Sequence, residues 1–221
     1  MSPQKAQKLD ASQYCDVDHP LILERAHTLA LEAESADQVA DNTFRWVRDR
    51  IPFGFDLIKV KASETLEKGY GACFNKSLLL VALLRANGIP AWFCSVPVSR
   101  WFMKPYIGLQ CLLINNPFHH CLALVSLGGQ LSFAEPTLDR GTYESLYRPL
   151  GVNWGIDWRP GQPNFLYAEH LMGEPQVHRD IDQAINQNVG NTLLPAPLAR
   201  AMCRRINRKA WAKIGIQVAS S

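Results

Sequence analysis

The chain has 221 residues, of which 47% are hydrophobic and 19% charged, with a formal net charge of +3. This is enough apolar material for one well-buried domain, and it excludes the composition of a disordered chain. So small a basic excess is too weak to imply a polyanionic partner.

The opening residues, Met1-Ser-Pro-Gln-Lys-Ala-Gln-Lys-Leu-Asp10, are polar and lack the apolar stretch of a secretory signal. No segment approaches the length needed to cross a bilayer. The expectation is a soluble, cytoplasmic protein that engages neither membrane nor nucleic acid. Six cysteines (Cys15, Cys73, Cys94, Cys111, Cys121, Cys203) are scattered without a Cys-x-x-Cys pair. That pattern indicates neither a zinc site nor a disulfide framework, so reduced thiols are expected and no metal or cofactor is implied.

Residues 1–18 read as a flexible tail and 19–221 as a single domain. Pro20 suits a first helical turn, and Leu23, Ala26 and Leu29/Ala30 follow at helical spacing. Ser35-Ala-Asp-Gln38 has the form of a capping box for a second helix, whose face of Val39, Thr43, Trp46/Val47 and Ile51 ends before Pro52. Ser63 is placed to cap a short turn that Gly69 closes. From Gly69 a glycine-loosened loop runs into an apolar helix with Cys73 at the junction, and Asn87-Gly88 followed by Pro90 stops it. Leu78 to Leu84 is apolar almost all round, which predicts burial.

A thiol at a helix start meets unpaired backbone N–H groups and the positive end of the macrodipole, which favour the thiolate. Cys73 is therefore the candidate nucleophile, weighed against the bland reading of a small buried apolar residue. Ala91–Val98 reads as a strand. Ser99–Phe118 has no clean period and reads as a loop or lid with some helix, making Trp101 and Tyr106 candidate substrate contacts.

His119–Leu127 and Gln130–Thr137, joined by Gly128-Gly129, form a β-hairpin. With a two-residue turn Leu122 opposes Glu135, and His120 lies diagonally beside Glu135 on the same face, roughly 7–8 Å away between backbones. An odd turn would put His119 in that place instead. Metal binding through His119, His120 and Cys121 is disfavoured because strand neighbours point to opposite faces. Beyond Asp139 the chain is aromatic-rich and weakly periodic, with short helices expected near Thr142–Tyr147 and Phe165–Met172. A final helix, Pro197 to Lys213, carries Arg200, Arg204, Arg205, Arg208, Lys209 and Lys213. A solvated basic face is the plain reading, with an acidic partner as the alternative.

Cys73, His120 and Glu135 supply, in that order, a nucleophile, a base and an orienting carboxylate. Gly71-Ala-Cys73 before an apolar helix, then Leu84-Arg-Ala-Asn-Gly-Ile-Pro-Ala91, resembles the nucleophile segment of the transglutaminase-like (papain-like thiol) superfamily. His120, with Leu127-Gly-Gly-Gln-Leu-Ser-Phe-Ala-Glu-Pro-Thr137, resembles that superfamily's histidine strand and acidic strand end. The core is also similar to arylamine N-acetyltransferases. The resemblance covers about Thr43 to Asp139, leaving 140–221 as an extension. It implies an α+β fold, a papain/transglutaminase-like core with the nucleophile helix packed on an antiparallel sheet, and a Cys-His-Glu triad. Glu135 stands where the family usually has aspartate, so the imidazole contact must be re-spaced. Leu122 and Leu131 replace frequent tryptophans, and Asn75 and Lys76 replace acidic and aromatic residues.

The leading expectation is thus a cofactor-free thiol enzyme that cleaves a small-molecule or peptide amide, or an acyl-thioester, through an acyl-enzyme passed to water or an amine. A catalytically inactive binding module on the same fold is the alternative.

Overall fold

The computed structural model describes residues 10–187 and 196–216. Four helices come first: α1 (Pro20–Ala30), α2 (Ala36–Arg50), α3 (Ala62–Lys68) and α4 (Cys73–Ala86). The sheet follows as β1 (Ala91–Val98), β2 (Phe118–Leu127), β3 (Gln130–Ala134) and β4 (Gln176–His178), in the order β3-β2-β1-β4 with every pairing antiparallel. Two further helices, α5 (Ile181–Gln187) and α6 (Ala196–Ile214), close the order. The architecture is α+β, with α4 laid against the antiparallel sheet. Among the described residues no helix is long and apolar enough to cross a membrane.

The all-round apolar character of α4 has a simple cause. It packs on β1 and β2 on one side and on α1, α2 and α3 on the others, and Cys73 and every residue from Asn75 to Leu84 are buried. Strand alternation sorts the two faces of β2. Cys121, Ala123 and Val125 join the core shared with α4, while Phe118 and Leu122 join a second core beneath the C-terminal extension. Gly128 and Gly129 both take positive φ, 54° and 80°, as a two-residue hairpin turn requires. Register then follows as expected from the turn: Leu127 pairs with Gln130 and Ala123 with Ala134.

Several local expectations are corrected. Residues 12–18 are not a loose tail, although residues 1–9 lie outside the described residues. Tyr14, Cys15, Asp16 and Val17 are buried, and Asp182 on α5 accepts hydrogen bonds from Ser12 Oγ, Gln13 N and Tyr14 N. The cap of α3 is Lys61, whose N–H is received by Glu64; Ser63 instead donates its hydroxyl to Asp16 Oδ2 at 2.5 Å. Residues 100–113, expected as a loop or lid with some helix, carry more helix than that, in the turns Arg100–Met103, Lys104–Ile107 and Gly108–Leu113. Of the expected Phe165–Met172 helix only Ala168–His170 forms, whereas turns at Arg140–Thr142 and Tyr143–Tyr147 match the other. The six cationic residues of α6 are all exposed, and its opposite face carries buried Ala199, Asn207 and Ala210.

Candidate active site

Cys73 is the first helical residue of α4, and its seat is built by short tethers. Gly54 N donates to Gly71 O at 3.0 Å and Gly71 N to Pro52 O at 3.3 Å, pinning the loop before the helix. Gly71 has no room for a side chain, because a Cβ there would lie 2.7 Å from Asn75 Cβ. Ala72 at the N-cap has no side-chain acceptor, so Asn75 reaches back and accepts the Ala72 N–H at 2.9 Å. On the far side α6 braces the preceding loop: Asn207 accepts from Phe55 N at 2.7 Å, and Trp211 Nε1 donates to Phe53 O at 2.8 Å. Lys76, fully buried, ties α4 to the end of α2 by donating to Arg48 O at 2.9 Å, and burial lowers its pKa to about 8. A cation near that helix end meets the negative pole of the dipole.

The register delivers the partners. β3 pairs with β2 only from Ala123 to Leu127, so β2 has an open edge at residue 121. The first turns of α4 fill it, with Ser77 Oγ donating to Cys121 O at 2.9 Å. His120 points to the buried side and His119 is exposed, so the even turn selects His120. Glu135, one residue past the end of β3, brings Oε1 to 2.9 Å from His120 Nε2, and both side chains are only 2% exposed. The N–H direction falls outside hydrogen-bond geometry, so the contact is an ion pair. Glu135 is held by Leu166 N, which donates to Oε2 at 3.0 Å, and by Asn164 Oδ1, which accepts from its backbone N–H at 2.9 Å.

Electrostatics follow from this packing. The Cys73 thiol is held well below the ordinary thiol range. A hydrogen bond from the Cys121 thiol is the largest cause, opposed by burial and reinforced by the charge and hydrogen bond of His120. Cys121 is correspondingly pushed well above its usual value by the same hydrogen bond and by burial. Burial works against a charge on His120, but Glu135 and then Cys73 outweigh it and push its pKa up to about 10. Both shifts favour a thiolate at Cys73 and an imidazolium at His120.

Aromatic rings wall the imidazole. Tyr167 stands edge-on at 4.8 Å between centroids, Phe102 at 5.8 Å and Phe118 at 6.3 Å. The two expected substrate contacts fare differently. Trp101 is 44% exposed, with Lys104 Nζ 5.9 Å from its ring centroid. Tyr106 is corrected to a core residue: it is 3% exposed, and its hydroxyl donates to Phe53 O at 3.1 Å. From that segment it is Phe102 that reaches the imidazole. On the α4 side of the sheet a cavity of about 430 Å³ is lined by Phe74, His119, Cys121, His178, Arg179 and Gln183, among others. Among the described residues no group of three or more His, Cys, Asp or Glu is arranged to hold a metal.

Three residues of the site escaped sequence reasoning. Strand alternation places Cys121 on the face opposite His120, in the core shared with Cys73 and α4, where nothing in the sequence singles it out. Tyr167 and Asn164 come from the weakly periodic extension, where no local signal marks them.

Comparison with known proteins bears on this geometry. Residues 24–121 match the Transglutaminase-like superfamily, a stretch containing both Cys73 and His120. No curated protein matches the chain. Among solved structures it is similar to a candidate cysteine protease from Cytophaga hutchinsonii, at 18% identity over 81% of this chain and 54% of that one, with a TM-score of 0.48. A candidate protease from Parabacteroides distasonis is similar at 11% identity over 55% of this chain and 25% of that one, TM-score 0.40. Red sea bream transglutaminase is similar at 11% identity over 92% of this chain and 40% of that one, TM-score 0.41. The chain thus spans 54%, 25% and 40% of the lengths of these three proteins. The similarity to the transglutaminase-like superfamily thus lies in residues 24–121, the stretch that carries α4 with Cys73 and the start of β2 with His120.

Proposed function

We propose that the protein is an acyl-transfer enzyme in which Cys73 is the nucleophile, His120 the proton carrier and Glu135 the orienting carboxylate. The observation that carries this reading is the buried His120 imidazole that the Glu135 carboxylate meets at 2.9 Å, both side chains 2% exposed, together with a helix-start thiol that the His120 charge helps to hold below the ordinary thiol range. The Cys73 thiolate attacks the carbonyl carbon of an amide or thioester. Negative charge developing on the carbonyl oxygen is met at the N-terminus of α4, where the Cys73 N–H has no intrahelical partner. The His120 imidazolium gives its proton to the departing amine or thiol, leaving an acyl-Cys73 thioester and a neutral ring. That ring then takes a proton from the incoming water or amine, which displaces Cys73 and restores the ion pair. Glu135 keeps Nε2 facing itself throughout, leaving the other ring nitrogen for the sulfur.

The test is incubation with a panel of peptides and acyl-thioesters, followed by peptide mass mapping. An acyl adduct on Cys73 that is absent in Cys73→Ala supports the reading, and its accumulation in His120→Ala supports the role of the ring in deacylation. Absence of any adduct, together with alkylation of Cys73 at the rate of an ordinary buried thiol, would favour the binding-module alternative.

A further inference from the structure

The mechanism draws on the His120 face of β2, and the other face of that strand holds a cavity it leaves unused. Side chains alternate along a strand, so His119 and Cys121 turn away from the His120 side. The antiparallel registers set Ser95 opposite both Cys121 and Gln176, and Phe93 opposite His178. One face of the adjacent strands β2, β1 and β4 therefore presents His119, Cys121, Ser95, Phe93, Gln176 and His178 together, and all of them line the cavity of about 430 Å³. The rest of the lining includes Phe74 from the first turn of α4, Arg179 from the connection after β4, and Gln183 and Ile185 from α5.

The chemistry of this lining is divided. Its most buried members, Cys121, Phe93 and Ile185, are apolar. Its exposed members include the donors His119, Gln176, Arg179 and Gln183. His178 is fixed between the two zones, because its Nε2 shares a 2.7 Å hydrogen bond with Ser95 Oγ. Asp180, the one carboxylate in the lining, accepts the Gln183 N–H at 2.8 Å, and the nearby Asp182 is taken by Ser12, Gln13 and Tyr14. Among the described residues the Arg179 guanidinium has no ion-pair partner. An apolar floor under a few convergent donors, one of them permanently charged, suits a ligand with an apolar body and an acceptor-only head.

We propose that this cavity binds a small monocarboxylate with an apolar body, its carboxylate seated at Arg179 beside the Ser95–His178 pair and its body on Phe74, Phe93 and Ile185. The planar fork of an arginine matches the two carboxylate oxygens, and burial of the body removes apolar surface from water. A second charge on the ligand would be stripped of water against the apolar floor, which selects monocarboxylates over dicarboxylates. The site lies across β2 from His120 and takes no part in the acyl-transfer chemistry.

The test is isothermal titration calorimetry on the full chain at neutral pH, with 3-phenylpropionate and with 3-phenylpropan-1-ol, which keeps the ring and chain but lacks the charge. The acid should saturate with a Kd of about 1 mM or tighter, and the alcohol should bind about tenfold more weakly. Arg179→Gln should weaken the acid about tenfold and leave the alcohol unchanged. Gln183→Trp, at an exposed position of α5, should fill the cavity and abolish binding of both probes. Unchanged urea midpoints separate these losses from unfolding, and if a variant fails to fold, the acid and alcohol on wild type decide. Neither probe holds an amide or a thioester, so the outcome stands whatever Cys73 does. The proposal is overturned if the acid shows no saturation at about 10 mM, if acid and alcohol bind equally, or if acid binding survives a folded Gln183→Trp.

Discussion

Replacing Glu135 by glutamine tests the electrostatic core of the site. Glutamine keeps the size of the side chain and an acceptor for Leu166 N, which donates to Glu135 at 3.0 Å, but removes the charge 2.9 Å from His120 Nε2. With both side chains 2% exposed, water cannot replace what is lost. At an effective dielectric of about 20 the gross attraction at that distance is about 6 kcal/mol. Part of this offsets desolvation, and breaking one side of a buried pair leaves a net cost of about 3 kcal/mol. At 1.36 kcal/mol per pH unit that lowers the His120 value by about two units from about 10. The imidazolium beside the Cys73 thiolate is then lost from about pH 8 upward instead of from about pH 10. The assay is the rate of iodoacetamide alkylation at Cys73, followed by peptide mapping from about pH 5 to about pH 9. In wild type the reactive ion pair exists between the lowered Cys73 value and the raised His120 value, so the rate should stay high below neutrality. In Glu135→Gln the upper edge of that window should fall by about two pH units while the acidic limb stays in place. A profile that superimposes on the wild type would refute the reasoning.

The remaining predictions use the same surroundings. Cys121→Ala removes the hydrogen bond that contributes most to the lowered Cys73 value, so the alkylation inflection should rise; Cys121→Ser, which keeps a donor, should leave it nearly in place. Lys76→Met should stabilise the protein at neutral pH by about 2 kcal/mol. Holding Lys76 at about 8 rather than 10.5 costs about 3 kcal/mol while it is charged, offset by about 1 kcal/mol for its bond to Arg48 O. Between those two values the unfolded state binds the extra proton, so wild-type stability gains from this group as pH rises. The advantage of Lys76→Met in urea unfolding should therefore shrink from about pH 8 upward, and a constant advantage would count against it. Gly71→Ala forces a Cβ to within 2.7 Å of Asn75 Cβ and should lower stability by about 1–3 kcal/mol, read as a drop in the urea midpoint. It should also slow Cys73 alkylation, because the Asn75 cap that seats the cysteine is displaced.

Short-range chemistry was legible in the chain itself. Leu78 to Leu84 announced a helix buried on all sides, Asn87-Gly88-Ile-Pro90 its end, and the pair Gly128-Gly129 a two-residue turn. Because side chains alternate strictly along a strand, that turn length alone chose His120 over His119 and sent Glu135 toward it. Periodicity and parity are local rules, and a local rule can be read without knowing what lies opposite. What sits opposite was decided only by the tertiary structure. The same alternation that selected His120 concealed Cys121, which turns to the opposite face and into the core shared with Cys73 and α4. Tyr167, Asn164 and Leu166 close on His120 and Glu135 from a stretch with almost no periodicity. Tyr14 and Asp16 are held from far along the chain, by Asp182, which accepts the Tyr14 N–H, and by Ser63, which donates its hydroxyl to Asp16. Contacts of that separation are set by how whole elements stack, and single-residue patterns carry no record of the stacking.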